Sequence, residues 1–232
     1  IRESKSAEDW FALPAVRRMI SSINERYGRS SETESRIVEI IWNTLRTPLR
    51  LGKTTDAPEL ELADVKKDLR EADFYFPIPN KAGKAEVIKE TKDTDIPGHY
   101  SASSVEGWTI EKGFLRGSID FLFEYEAKIY LLDWKSNLLK NYAPESLEHE
   151  VMEKYELQLQ IYTLATSYWF NLDSEEKYNE KFGGVLYLFL RGIGEKSAIS
   201  GDSANSANEG VYFKRPSWTE LKAYETRLSL EK

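Results

Sequence analysis

The chain has 232 residues, enough for one substantial domain whose core needs no covalent staples. Apolar residues make up 41% and charged residues 31%, which excludes wholesale disorder, and the absence of cysteine excludes disulfide frameworks, thiolate zinc centres and cysteine-ligated iron–sulfur clusters. The net charge of −7 argues against a protein that grips nucleic acid through a basic face alone, yet it suits one that gathers carboxylates around a metal ion.

In chain order, the amino-terminal part reads as helical and amphipathic. Ser31 to Glu34 (SETE) has the form of a capping box, and IVEIIWNTLRTPL continues at helical spacing until Pro48 and Gly52 end it. A polar connector with room for one short helical turn leads to ADFYFPI (Ala72 to Ile78), a predicted strand closed by Pro77 and Pro79. Asn80 to about Glu106 is a polar loop in which PNKAG and DTDIPG form turns. GSIDFLFEYEAKIYLLDWKSN (Gly117 to Asn137) then reads as two strands with a tight connection. Pro144 suits the start of a long helix running through MEKYELQLQIYTLATSYWFNL, with Tyr155, Leu159, Tyr162, Leu164 and Ala165 as its apolar stripe. GGVLYLFLRGI (Gly183 to Ile193) is apolar enough for a strand covered on both faces. A Ser/Asn/Gly-rich loop, expected to be mobile, a short strand in GVYFKRP and a closing helix capped by Ser217 complete the chain. No repeat or linker divides it, so a single α/β domain over residues 1–232 is expected. No apolar run is long enough to span a membrane and the opening IRESKSAEDW has no signal-peptide core, so a cytoplasmic location is expected.

The residues that point to chemistry lie in the two-strand unit. Strand side chains alternate, so Asp133 and Lys135 share a face while Trp134 turns to the other. Antiparallel pairing of the two strands brings Asp120 beside Asp133. Two carboxylates can hold a magnesium ion that keeps several waters, and a lysine can orient the attacking water or stabilise charge on a phosphate. Gln158 and Tyr162, spaced i, i+4, stand one above the other on the long helix, within hydrogen-bonding reach of a phosphate or a metal-bound water. Glu71, at the edge of the ADFYFPI strand, is a further acidic candidate. His99 and His149 have no mutual spacing that marks a metal site. Gly52-Lys53-Thr54 looks like the end of a phosphate-binding loop, but Thr47 stands where the first glycine belongs and a helix precedes it, so it reads as a helix C-cap.

Taken together, GSIDFLF, YLLDWKSN, YELQLQIYTLA and FGGVLYLFLRGI, with LRTPL and READFYFPI upstream and GVYFKRP downstream, resemble the carboxy-terminal nuclease domain of RecB-type chains over about residues 40–216. The resemblance implies the restriction-endonuclease-like core of the PD-(D/E)xK nucleases, a mixed β-sheet flanked by helices. It implies Asp120 and Asp133 as magnesium ligands with the backbone carbonyl of Trp134 as a third, and Lys135 as the catalytic lysine. Gln158 and Tyr162 become the QxxxY pair of this branch. Glu71, in ExxF, becomes the upstream acidic position, with Asp73 close enough to leave that assignment open. The implied activity is that of a magnesium-dependent exodeoxyribonuclease hydrolysing phosphodiester bonds, with single-stranded ends or unwound duplex DNA as substrate. The implied setting is a helicase–nuclease with RecC-like and RecD-like subunits that processes double-strand breaks for recombination. The alternative is a nuclease-fold module, inactive alone, that serves DNA binding or subunit docking. One departure is plain: the family carries a metal-binding histidine in a GxxxGxxxH-like context near the start of the domain, and this chain has no histidine before His99. The first residue, Ile1, suits a fragment of a longer helicase–nuclease chain.

Overall fold

The computed structural model describes residues 1–54, 56–77, 104–105, 108–111, 114–194 and 209–228. The expected turns in 80–103, His99 and most of the Ser/Asn/Gly-rich loop fall outside them. Contacts group the chain into two compact units: Ile1–Lys67, Trp134–Val151 and Leu186–Phe213 form the first, and Asp68–Asp133, Met152–Val185 and Lys214–Lys232 the second.

The first unit opens with three helices, α1 (Ala7–Ala12), α2 (Pro14–Arg26) and α3 (Ser31–Arg46). Each start has a local cause. The Ser6 hydroxyl accepts from the Asp9 N–H at 3.1 Å, Pro14 stands at the first turn of α2, and the Ser30 hydroxyl accepts from the Thr33 N–H. The cap of α3 therefore lies one residue before the predicted SETE box. Trp10, Ile20 and Val38 bury themselves together, with Ile37, Ile41 and Trp42 packed against them. The helix ends at Arg46 and is followed by a small hairpin of β1 (Leu49–Arg50) and β2 (Glu59–Leu60). Gly52 lies in that hairpin, so it is not the helix cap that the sequence suggested. A 3-10 turn, Leu62–Asp64, fills the place of the expected helical turn.

The second unit holds most of the sheet. Strand β3 (Lys67–Pro77) begins five residues before the predicted strand. Beyond Glu71 its side chains alternate, with Ala72 and Phe74 buried and Asp73 and Tyr75 exposed. Short strands β4 (Ser104–Val105) and β5 (Trp108–Glu111) lead into β6 (Phe114–Tyr125), which returns as β7 (Lys128–Lys135). The connecting residues Glu126 and Ala127 both have left-handed backbone (φ 48° and 60°), the two-residue turn whose twist matches paired strands. Neither residue type signals that turn.

Beyond β7 the predicted long helix is two: α4 (Pro144–Lys154) and α5 (Glu156–Trp169). Tyr155, buried and non-helical (φ −121°, ψ 5°), separates them. A helix not anticipated from sequence, α6 (Glu175–Lys181), precedes β8 (Phe182–Phe189), every residue of which is buried. Strand β9 (Val211–Lys214) and helix α7 (Trp218–Leu228) follow. Ser217 caps α7 as the sequence predicted, and Glu220 returns the contact in a reciprocal capping box, at 3.1 and 2.7 Å.

The strand order is β4-β5-β6-β7-β8-β9, with β3 also paired to β6. Strands β6 and β7 are antiparallel. The start of β8 meets the start of β7, where Gly183 lies against the Tyr130 ring, and Leu190 N–H donates to Lys135 C=O just past their ends, so β7 and β8 run parallel. A side chain at Gly183 has no room beside Tyr130, which itself stacks on Phe123 with ring centroids 5.3 Å apart. Each such buried aromatic contributes on the order of 1.5–3 kcal/mol. The mixed sheet with flanking helices is the α/β, restriction-endonuclease-like architecture expected. No helix among the described residues is long and apolar enough to cross a membrane.

Candidate active site

The β6–β7 hairpin sets the first part of the site. Its ladder pairs Tyr125 with Lys128 and runs to Phe121 opposite Leu132. One step further along the same register, Asp120 faces Asp133. Residues opposite one another in an antiparallel ladder present their side chains on one face, so the two carboxylates are neighbours by construction. Asp133 is 4% exposed and Asp120 half-buried.

Helix α5 supplies the second part. Gln158 and Tyr162, one turn apart, are both buried. The Gln158 amide donates to Asp133 Oδ1 at 3.2 Å and to the Tyr162 hydroxyl at 3.1 Å, and that hydroxyl donates to the Ser118 carbonyl at 2.7 Å. The chain of donors thus runs from Asp133 through α5 to the strand that carries Asp120. Burial pushes the Tyr162 hydroxyl well above the ordinary tyrosine range; the charges of Asp133, Asp120 and Glu71 push the same way, against the Gln158 hydrogen bond. Tyr162 therefore stays a neutral donor. Phe74 packs edge-on to its ring, with centroids 5.8 Å apart.

Glu71 is exposed, and it sits in the left-handed region at φ +47°, an uncommon conformation for a residue with a long side chain. This local break in β3 accompanies a carboxylate whose charge pushes the Tyr162 hydroxyl upward; Asp73, two residues on, is exposed. Strained backbone of this kind gathers at functional sites. Trp134 is half-buried between Asp133 and Lys135. Lys135 ends β7 and is 7% exposed. His149 is exposed on α4.

The donor set is one of hard oxygens. Among the described residues no three His, Asp or Glu side chains form a ready-made metal cluster. Two carboxylates at facing ladder positions, one of them followed in the chain by the Trp134 carbonyl, fit a magnesium-like cation that retains waters better than one needing an all-protein cage. Sequence reasoning found the carboxylates and the helix pair. It did not find the Ser118 carbonyl or the packing of Phe74, because a backbone acceptor and an apolar neighbour leave no signature, and nothing about Glu71 announces left-handed backbone.

No family model matches the chain. The RecBCD enzyme subunit RecB of Buchnera aphidicola subsp. Acyrthosiphon pisum is 32% identical over 218 residues, 90% of this chain and 17% of that protein. The RecB subunit of Escherichia coli is 30% identical over 207 residues, covering 87% of this chain and 17% of the relative, and that of Haemophilus influenzae is 34% identical over 166 residues, 68% and 13%. The chain thus spans between about one eighth and one sixth of the length of these relatives.

Proposed function

For a chain homologous to the carboxy-terminal domain of RecB subunits, we propose a metal-dependent deoxyribonuclease that hydrolyses phosphodiester bonds, part of a RecBCD-like helicase–nuclease acting in the recombinational repair of double-strand breaks. The observation that carries it is the β6–β7 register, which ends at Phe121 opposite Leu132 and, continued by one step, sets Asp120 against an Asp133 that is buried and held by Gln158.

In this reading Asp120, Asp133 and the Trp134 carbonyl hold a magnesium ion, which when bound supplies a more acidic water and neutralises charge on the phosphate. Gln158 restrains the Asp133 carboxylate through one of its oxygens and so would orient it as a ligand. Tyr162, spent on the Ser118 carbonyl, keeps Gln158 in place and locks α5 onto β6. Lys135 acts on the phosphate or the attacking water through its ammonium. Glu71 is the upstream acidic group. The substrate is DNA with single-stranded or unwound ends, and the partners are the other subunits of such an assembly, which bring helicase activity and much of the grip on DNA that a net charge of −7 does not supply.

The test is degradation of linear single-stranded DNA by the chain, with and without magnesium, beside Asp133→Ala. Magnesium-dependent cutting that disappears in the variant is expected. Cutting that survives the substitution contradicts the site, and a folded wild-type chain that never cuts favours the inactive-module alternative.

A further inference from the structure

Lys135 closes β7 with its side chain buried, and its ammonium stands 5.0 Å from the centroid of the Tyr187 ring. Tyr187 lies in β8 with no exposed surface, and its ring packs in turn on Tyr212 of β9, centroids 6.2 Å apart and planes tilted by 38°. The backbone of the lysine is tied to the same neighbourhood, since Leu190 N–H donates to the Lys135 carbonyl at 2.9 Å. The chain around β8 therefore fixes Lys135 at both ends, the carbonyl by a hydrogen bond and the ammonium by a ring.

A buried ammonium needs groups that replace its water. The face of an aromatic ring offers a negative quadrupole to a cation, and the attraction grows when both are desolvated. The lysine stem is also flexible, so a ring on one side removes positions in which the ammonium would wander from a reacting group. We propose that Tyr187 is a positioning residue for Lys135, its ring face setting where the catalytic ammonium stands. The proposal rests on the nuclease reading above for the role of Lys135. In the sequence Tyr187 is one apolar residue in a run of core, and nothing distinguishes it there.

The test separates ring electronics from packing. Tyr187→Phe keeps the face of the ring, while replacement of Tyr187 by pentafluorophenylalanine keeps the shape and reverses the quadrupole. Expected is kcat within about twofold of wild type for the phenylalanine variant and about tenfold lower for the fluorinated one, with KM little changed in either. Equal kcat for the two overturns the proposal, because a ring that only fills space serves equally well in both forms. A second measurement needs no catalysis. In a 13C-lysine-labelled chain, the Lys135 ε-methylene signal, assigned with Lys135→Arg, is expected upfield of the other lysines in wild type and in Tyr187→Phe, and back among them in Tyr187→Leu. An unshifted signal in wild type overturns the contact itself, whatever the fate of the leucine variant. Lys135→Ala keeps the two ideas apart. Full cleavage by that variant removes the catalytic lysine and the purpose of positioning it, whereas loss of cleavage there with equal rates in the two ring variants removes only Tyr187.

Discussion

Helices α3 and α5 are similar in length, 16 and 14 residues, and are buried in opposite ways. Along α3 a narrow stripe points inward, with Val38 and Thr44 buried, while the Arg36–Glu39 ion pair lies half in water, its side chains 51% and 54% exposed. In α5 ten consecutive residues from Gln158 to Ser167 are buried, several of them polar. The Thr163 hydroxyl and the Gln160 amide nitrogen donate locally, to the Leu159 carbonyl and to Glu156. Gln158 and Tyr162 instead reach out of their helix to Asp133 and Ser118. An amphipathic helix holds a fold by its apolar stripe alone. A helix that takes polar groups into the interior incurs a desolvation cost that only specific partners offset, so the partners it reaches mark where specificity is needed.

The comparison can be broken by substitution. Asp133→Ala removes the group to which α5 is directed, and cleavage of linear single-stranded DNA should fall by about a thousandfold, with the circular dichroism spectrum unchanged. Gln158→Ala removes the amide that donates to Asp133 Oδ1 and to the Tyr162 hydroxyl, and a loss of about 10–100-fold in kcat is expected, as for groups that orient a metal ligand. An unaltered rate there would reduce α5 to a packing element like α3.

Tyr162→Phe removes the donor to the part-buried Ser118 carbonyl and should cost about 1 kcal/mol, read as a lower urea midpoint at unchanged slope. Its pH dependence has a definite sign. The Tyr162 hydroxyl is raised in the folded state, so its contribution is complete below the ordinary tyrosine value of 10.0 and is lost as pH climbs through the higher folded value. Wild type should therefore lose stability above pH 10 more steeply than the phenylalanine variant; parallel curves would contradict the burial of that hydroxyl. On α3, Ser30→Ala removes the cap of Thr33 and should cost about 1 kcal/mol in the same urea experiment without changing the cleavage rate. Arg36→Ala, which breaks only an exposed pair, should stay within about 0.5 kcal/mol of wild type.

What could be read from sequence follows the same division. The register that sets Asp120 against Asp133 was legible because a tight turn between two strands fixes their antiparallel pairing, and because period 2 then fixes the face of every later residue. The Gln158–Tyr162 pair was legible because i, i+4 spacing survives any shift of helix boundary. The break at Tyr155 was not, since an aromatic residue on the apolar stripe is equally at home within a helix or between two. The early start of β3 was hidden by Glu71, whose left-handed backbone interrupts the alternation on which strand recognition depends. The cap of α3 was misplaced by one residue because Ser30 and Ser31 both suit the position.

A nuclease site of the kind proposed requires Asp120 and Asp133 to share one cation. Titration of the chain with manganese(II), followed by the electron paramagnetic resonance signal of the free ion, addresses this without requiring cleavage. One bound ion per chain is expected, released by excess magnesium and lost in both Asp120→Ala and Asp133→Ala. Undiminished binding in either variant would contradict it.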